Sequence, residues 1–256
     1  MQAKKRFGQN FLTDIKLLEN LVNLINVAAD DRVLEIGPGK GDLTKILINI
    51  CDSYFGIELD KDLLVLLRNK FPKNKNAFID GDILKLNPSD IYASNEFRVV
   101  GNIPYNISSP ILDWCEKHYE KILDMHFMLQ KEFALRCSGN EKTSSYGRLS
   151  VICNYLYEVT ILKEVSKEFF NPEPKVDSLF VRFSPKKKKV NQKELHNLKK
   201  VTRALFNKKR KKISNSLEDI LHKETIKKLD LNLNLRPDEL SLNEYLQISE
   251  LVKDDG

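Results

Sequence analysis

The sequence predicts an α/β fold, a parallel sheet with helices on both faces, carrying a small all-helical C-terminal domain. Three observations predict it. Short apolar runs alternate with amphipathic stretches through the first half of the chain, at the spacing of βαβ units. A glycine turn, Gly37-Pro38-Gly39-Lys40-Gly41, joins the first of these runs to the helical stretch after it. Beyond Ser184-Pro185 the texture becomes basic and helical, which divides the chain into domains of residues 1–185 and 186–256.

Residues 14 to 28 place Leu18, Leu21, Val22 and Ile25 on one helical face, with Thr13 or Asp14 as cap. Val33 to Ile36 is a short apolar run that ends at glycine, and Leu43, Ile46, Leu47 and Ile50 then follow at helical spacing. The alternation repeats with Tyr54 to Ile57 as strand, Asp60 to Phe71 as helix and Ala77 to Ile79 as strand. Phe97 to Val100 reads as strand, Ile107 to Tyr119 as helix and Met125 to Leu129 as strand. Ser138 to Tyr146 is polar and reads as a loop, and two β-rich runs are expected near Ser150 to Thr160 and Leu179 to Phe183. The second begins after Asn171-Pro172-Glu173-Pro174, whose prolines exclude helix. In the C-terminal part Leu195, Leu198, Val201 and Leu205 form an apolar stripe. Ser216 to Asp219 and Ser241 to Glu244 have the pattern of capping boxes that open later helices.

The chain has 256 residues, enough for a substantial core, and with 41% hydrophobic and 30% charged residues it reads as a globular, soluble protein. No apolar run approaches the roughly 18 residues of a membrane-spanning helix. The start, MQAKKRFGQNFL, lacks the apolar stretch of a signal peptide. Cys51, Cys115, Cys137 and Cys153 form no C-x-x-C pair and the four histidines are scattered, so neither a metal site nor a disulfide framework is expected. Free thiols and the absence of a leader point to the cytoplasm. The net charge of +6 conceals an uneven distribution. Residues 186 to 212 hold thirteen Lys and Arg against the single acid Glu194, whereas residues 1 to 183 are near neutral with 24 basic and 25 acidic residues. An excess confined to one segment implies a localised polyanion contact.

The glycine turn follows a strand and opens a helix, so a ligand can approach the backbone closely. The dinucleotide fingerprint G-x-G-x-x-G wants glycine or alanine where this chain has Asp42. A carboxylate is also a poor neighbour for a pyrophosphate, which disfavours a nicotinamide dehydrogenase. A cationic ligand such as a methionine-derived sulfonium fits better. Glu58, 21 residues after Gly37 at the next strand end, can accept both ribose hydroxyls of a nucleoside. Asp82, after the third strand, can accept a proton from an adenine amino group. Taken singly, each acid is as well explained as a strand-end residue or helix cap; together with the glycine turn they favour an S-adenosylmethionine site.

The fourth strand ends in Val99-Val100-Gly101-Asn102-Ile103-Pro104-Tyr105. An adenine amine is planar and a poor nucleophile, because its lone pair is delocalised into the ring. The Asn102 side-chain carbonyl and the Ile103 backbone carbonyl can accept its two hydrogens and draw the nitrogen toward tetrahedral geometry. Tyr105 can stack on the base, and Pro104 keeps the loop rigid. Placement and hydrogen bonding suffice against a sulfonium methyl, with no nucleophilic side chain.

These residues sit in segments that resemble the KsgA/RsmA family of small-subunit ribosomal RNA adenine dimethyltransferases. They are FGQNFL at 7 to 12, EIGPGKGDLT at 35 to 44, NIPYNISSPIL at 102 to 112, QKEFALR at 130 to 136, YGRLSV at 146 to 151 and FNPEPKVDS at 170 to 178. FNKKRKKISNSL at 206 to 217 and RPDELSLNEYL at 236 to 246 continue the likeness to the C-terminus. The resemblance implies a Rossmann-like class I S-adenosylmethionine-dependent methyltransferase that dimethylates N6 of two adjacent adenosines in the 3'-terminal hairpin of 16S rRNA. Its substrate would be rRNA within a precursor 30S particle, and the enzyme would act as a monomer during ribosome biogenesis. By the same resemblance Asn10, Leu12, Gly37, Glu58, Asp82 and Asn102 form the cofactor site. Asn102, Pro104, Tyr105 and Phe170 form the catalytic set, with Phe170 as the second wall of a base clamp opposite Tyr105. The register to the two prolines selects Phe170 over Phe169.

The nearest alternative is the large-subunit (23S) rRNA dimethyltransferase of the macrolide-resistance type, from which the C-terminal segments differ. A mitochondrial transcription-factor relative would carry a transit peptide, which the N-terminus does not resemble. A protein acting mainly as a ribosome-assembly factor would not need the intact NIPY and cofactor residues. Within the basic segment, Lys186 to Lys189 reads as a solvated linker and Lys208 to Lys212 as a contact for rRNA phosphates.

Overall fold

The structure is a computed structural model that describes residues 9–93, 95–186 and 190–252. Phe7, Gly8 and Lys187 to Lys189, named above, lie outside the described residues. By internal contacts the chain forms two compact units. One comprises residues 1–134 and 160–185, the other residues 135–159 and 186–256. The break at Pro185 falls where the composition changes, and residues 135–159, placed in the first domain by the sequence, group with the C-terminal helices.

The chain opens with β1 (Phe11–Leu12), α1 (Ile15–Ile25), β2 (Arg32–Ile36), α2 (Thr44–Leu47), β3 (Ser53–Glu58), α3 (Lys61–Lys70) and β4 (Phe78–Asp80). α4 (Ser89–Tyr92), β5 (Phe97–Asn102), α5 (Ser108–Lys117), β6 (Ile122–Gln130) and α6 (Lys131–Ser138) follow. Next come α7 (Arg148–Leu156), β7 (Tyr157–Val165), β8 (Phe170–Asn171) and β9 (Ser178–Pro185). Helix starts follow local chemistry: Asp14 Oδ1 accepts from the Leu17 amide at 2.7 Å, and Asp60 caps α3 in the same way.

Seven strands form one mixed sheet in the order β4-β3-β2-β5-β6-β9-β7. β4, β3, β2, β5 and β6 are parallel, and β9 runs antiparallel to β6. The strand order reverses direction between β2 and β5, so the crevice beyond their carboxyl ends is the ligand position of this architecture. Arg98 staples the opposite end. It forms a two-pronged pair with Asp124 at 2.7 and 2.9 Å, meets Asp31 at 2.8 Å, and donates to the carbonyls of Ile25 and Asn26 at the end of α1. These acceptors compensate the buried guanidinium, which would otherwise carry a large desolvation cost.

The second unit contains α7 and, after Pro185, α8 (Gln192–Asn207), α9 (Ser214–Leu217), α10 (Lys223–Ile226) and α11 (Leu242–Glu250). Leu195, Leu198, Val201 and Leu205 of α8 are buried, as their spacing predicts. Tyr146, Phe206 and Tyr245 form an aromatic contact chain, and the Tyr146 and Tyr245 hydroxyls donate to the Leu240 and Pro237 carbonyls at 3.0 and 2.6 Å. Ser241 and Glu244 form the expected capping box, with the Ser241 amide donating to Glu244 at 2.7 Å.

Three local expectations are corrected. The run from Ser150 to Thr160 is strand only from Tyr157. Its first part is α7, because Val151 and Tyr155, one helical turn apart, are both buried and Ser150 closes the helix start by accepting from the Gly147 amide at 3.0 Å. Ser216 opens no helix: it is buried inside α9, where Ile213 and Leu217 supply the apolar contacts. The helix expected from Leu43 to Ile50 is regular only over α2 and continues as turns.

Candidate active site

A cavity of about 380 Å³ lies at the carboxyl ends of β2 to β5. Its lining includes Asn10, Leu12, Gly37, Glu58, Asp82 and Asn102, the six residues assigned to the cofactor, together with Pro104 and Tyr105. All belong to the first unit.

The glycine turn is built for close approach. Gly39 has φ +61° and Gly41 φ +76°, conformations that an L side chain rarely adopts. A Cβ on Gly39 would stand 2.8 Å from the Phe11 ring, and one on Gly41 2.7 Å from the Phe71 ring. The Gly39 amide donates to Glu58 Oε2 at 3.0 Å and the Asp60 amide to Glu58 Oε1 at 2.9 Å. Glu58 is thus oriented at the end of β3, and each oxygen keeps acceptor capacity for a hydroxyl. Burial pushes its carboxyl upward, while the two amides oppose that shift. Asp82 Oδ1 accepts from the Leu84 amide at 3.0 Å, which fixes the second acid. Asp42 lines the cavity and pairs with Lys70 at 3.1 Å on an exposed surface.

Glu35 was not singled out from the sequence. It is 3% exposed beneath the glycine turn, and its Oε2 accepts from the Thr44 hydroxyl at 2.7 Å and the Tyr54 hydroxyl at 2.5 Å. Burial raises its pKa to about 7 although both hydrogen bonds oppose the shift. A carboxylate inside the apolar run Val33-Leu34-Glu35-Ile36 was the available signal, since buried acids need partners.

The N-terminal segment closes one side of the cavity. Gln9 donates to Asp60 Oδ2 at 3.2 Å, and the Lys40 ammonium stands 4.7 Å from the centre of the Phe11 ring. Asn102, at the end of β5, donates its Nδ2 to the Asn10 backbone carbonyl at 2.6 Å. This bond fixes the side-chain amide and leaves Oδ1 as its acceptor. The Ile103 amide bonds the Met128 carbonyl at 3.2 Å, tying the NIPY turn to β6. The Tyr105 hydroxyl lies 3.1 Å from the Ser178 Oγ of β9, and burial raises its pKa, so the phenol stays neutral.

Phe170 is not brought into this group. It does not line the cavity and is 4% exposed, packed in the core beside Leu12, its partner in the β1–β8 pair. Phe169 is 38% exposed, and its carbonyl accepts from the Thr13 amide and hydroxyl.

In the second unit, Lys208 to Lys211 form a turn after α8, with α9 following at Ser214. Lys208 pairs with Asp219 at 2.7 Å, Lys209 donates to the Tyr146 carbonyl at 3.2 Å, and Lys212 donates to Asn234 at 2.8 Å. Arg210 and Lys211 are exposed. Among the described residues no cluster of His, Cys, Asp or Glu could hold a metal ion, and no helix is long and apolar enough to cross a membrane.

The sheet order, the glycine turn and the acids at successive strand ends define a Rossmann-like class I methyltransferase that takes S-adenosylmethionine. The chain belongs to the ribosomal RNA adenine dimethylase family, whose model matches residues 1–254. The ribosomal RNA small subunit methyltransferase A of Marinobacter nauticus is 39% identical over 257 residues, covering 100% of this chain and 93% of that protein. A crystal structure of a dimethyladenosine transferase from Plasmodium falciparum matches with TM-score 0.76 and 25% identity, over 93% of this chain and 95% of that one. The 23S rRNA methyltransferase ErmE matches with TM-score 0.75 and 26% identity, over 95% of this chain and 99% of that one.

Proposed function

We propose that this chain transfers methyl groups from S-adenosylmethionine to N6 of two adjacent adenosines in the 3'-terminal hairpin of 16S rRNA, giving N6,N6-dimethyladenosine. The fold is shared with an enzyme named for 23S rRNA, so fold alone does not choose the substrate. Relatives named for the small subunit, at 37 to 40% identity over nearly the whole chain, support the 16S reading over the large-subunit and assembly-factor alternatives. In this reading the protein works in the cytoplasm as a monomer, on rRNA within a precursor 30S particle.

The residues present fit the cofactor. Glu58, held by the Gly39 and Asp60 amides with acceptor capacity left on each oxygen, receives the ribose hydroxyls, and Asp82, which lines the same cavity, receives the adenine amino group. Asn10 and Leu12 close the site from the N-terminal side. When bound, S-adenosylmethionine supplies an electrophilic sulfonium methyl.

The observation that carries the mechanism is the 2.6 Å bond from Asn102 Nδ2 to the Asn10 carbonyl. It orients Oδ1 as an acceptor for one hydrogen of the target amine, and the Ile103 carbonyl accepts the other. Together they draw the amine lone pair out of conjugation. Pro104 holds the turn, and Tyr105 stacks on the extruded base. Phe170 is the opposite wall of the clamp and must be uncovered from the core to reach the base. A neutral amide also suits the second transfer, because it accepts the one remaining hydrogen without a buried charge.

Asn102→Ala tests this reading. Methyl incorporation into small-subunit rRNA should fall by about 10²- to 10³-fold, the usual loss of one preorganised polar group. Cofactor affinity should fall by much less than methylation, because the five other residues assigned to the cofactor remain. Unchanged methylation would remove Asn102 from the reaction.

A further inference from the structure

The N-terminal segment is held on both sides of Asn10, the residue whose carbonyl fixes Asn102. On the side that follows Asn10, Phe11 and Leu12 pair with Asn171 and Phe170, and the Thr13 amide donates to the Phe169 carbonyl at 3.1 Å. With its nitrogen turned toward acceptors, the Asn10 side chain also donates to the Pro172 carbonyl at 3.0 Å. On the side that precedes Asn10, Gln9 Nε2 donates to Asp60 Oδ2 at 3.2 Å. Gln9 lines the cofactor cavity, and all of these residues belong to the first unit.

Asp60 joins two parts of the site. It is 3% exposed, and a carboxylate so buried needs hydrogen-bond donors on its oxygens. Oδ1 accepts from the Asp62 amide at 3.0 Å and starts α3, while Oδ2 receives Gln9. The Asp60 amide donates to Glu58 Oε1 at 2.9 Å. One residue therefore orients the acid assigned to the ribose and anchors the segment whose next carbonyl orients Asn102. That second task bears directly on the target amine. Without the Asn10 carbonyl, the Asn102 amide is free to turn and present Nδ2, a donor, where the amine needs an acceptor. A misplacement of about 1 Å costs up to about 10²-fold in rate even when its source is remote from the chemistry.

We propose that Gln9 is a positioning residue for methyl transfer: anchored on Asp60, it sets the Asn10 carbonyl that holds the Asn102 side chain toward the target amine. The proposal rests on the methyl-transfer reading above and on the place of Asn102 in it. It differs from two simpler roles for the same side chain. A Gln9 that only satisfies the buried Asp60 would affect stability and leave kcat untouched. A Gln9 that only touches the cofactor would affect KM for S-adenosylmethionine and again leave kcat untouched at saturation. A positioning role acts on kcat, and it acts through Asn102.

The test compares Gln9→Ala, Gln9→Glu and the double change Gln9→Glu with Asp60→Asn in the full chain. With undermethylated 30S particles and saturating S-adenosylmethionine, kcat should fall by about 10- to 10²-fold in Gln9→Ala. Gln9→Glu sets two carboxylates against each other and should fall at least as far. The double change rebuilds the bond with its direction reversed, and the amide that replaces the Asp60 carboxylate still caps α3 through its oxygen. Its kcat should return to within a few-fold of wild type. A second readout needs neither cofactor nor RNA. The Asn102 side-chain amide protons, identified by their loss from the NMR spectrum of Asn102→Ala, should exchange with water several-fold faster in Gln9→Ala and at the wild-type rate in the double change. An unchanged kcat in Gln9→Ala overturns the proposal, and a raised cofactor KM beside it makes Gln9 a cofactor contact alone. Unchanged Asn102 exchange, or a double change no better than Gln9→Glu, also overturns it. If the wild-type protein methylates no rRNA, the functional reading fails instead, and the exchange rates still decide whether Gln9 holds Asn102.

Discussion

Asn102 and Phe170 stand at opposite ends of preorganisation. Asn102 is already held, with its Nδ2 bonded to the Asn10 carbonyl at 2.6 Å, and Tyr105 already lines the cavity. Phe170 is 4% exposed and part of the core, so stability is the role its burial shows, and the base clamp is the second role proposed for it. Phe170→Ala would remove both roles, at a core cost of about 3 to 5 kcal/mol. Phe170→Leu separates them: stability should drop by less than about 1.5 kcal/mol, while methylation falls through loss of stacking. Urea unfolding and rRNA methylation of the same preparation provide the check, and full activity in this variant would remove Phe170 from the clamp. At this scale the order of residues at successive strand ends was legible, and the fold brings Gly37, Glu58, Asp82 and Asn102 to one cavity. The sequence concealed Glu35, Phe11 and Ser178, whose contacts with Tyr54, Gly39 and Tyr105 join positions far apart in the chain.

At the scale of elements, the turn between β2 and α2 rests on Glu35. Its folded pKa of about 7 lies above the ordinary 4.5, so the folded state holds the proton more tightly than the unfolded chain. The resulting stabilisation is complete below pH 4.5 and is lost as pH rises through about 7. With one unit worth 1.36 kcal/mol, the loss is about 3 kcal/mol. Glu35→Gln should lack this dependence. The difference in unfolding free energy between the two proteins should therefore change in favour of the Gln variant between about pH 5 and 8, and a difference constant with pH would contradict the assignment. The parallel strands and α1, α3 and α8 were legible because their apolar spacing is regular and their caps are local. α7 was not, since Val151, Cys153, Tyr155 and Leu156 suit either a buried helix or a strand. The two-residue pair of β1 and β8 was also hidden, because Phe11 and Leu12 meet Phe170 and Asn171 only in the folded chain.

Across the whole molecule, the division by charge and the division by packing coincide at Pro185 and diverge at residues 135–159. That inner segment carries no excess charge to mark it, and Ser150 Oγ, which donates to the Arg136 carbonyl at 2.6 Å, ties it to itself. The basic cluster after α8 is also less uniform than its sequence. Lys208, Lys209 and Lys212 have partners within the unit, so Arg210 and Lys211 are the side chains of that cluster best placed for phosphates. Changing both to Gln should flatten the salt dependence of rRNA binding by at most about 1.8 log units, two contacts at the upper per-contact value. An unchanged slope would make the cluster a solvated turn.

The central claim is the reaction itself. Small subunits lacking the modification, incubated with this protein and labelled S-adenosylmethionine, can be digested and their nucleosides separated by mass spectrometry. The proposed function predicts N6,N6-dimethyladenosine at two adjacent positions of the 3'-terminal hairpin, four labelled methyl groups per rRNA. Label absent from adenine, or monomethyladenosine alone under excess cofactor, would contradict it.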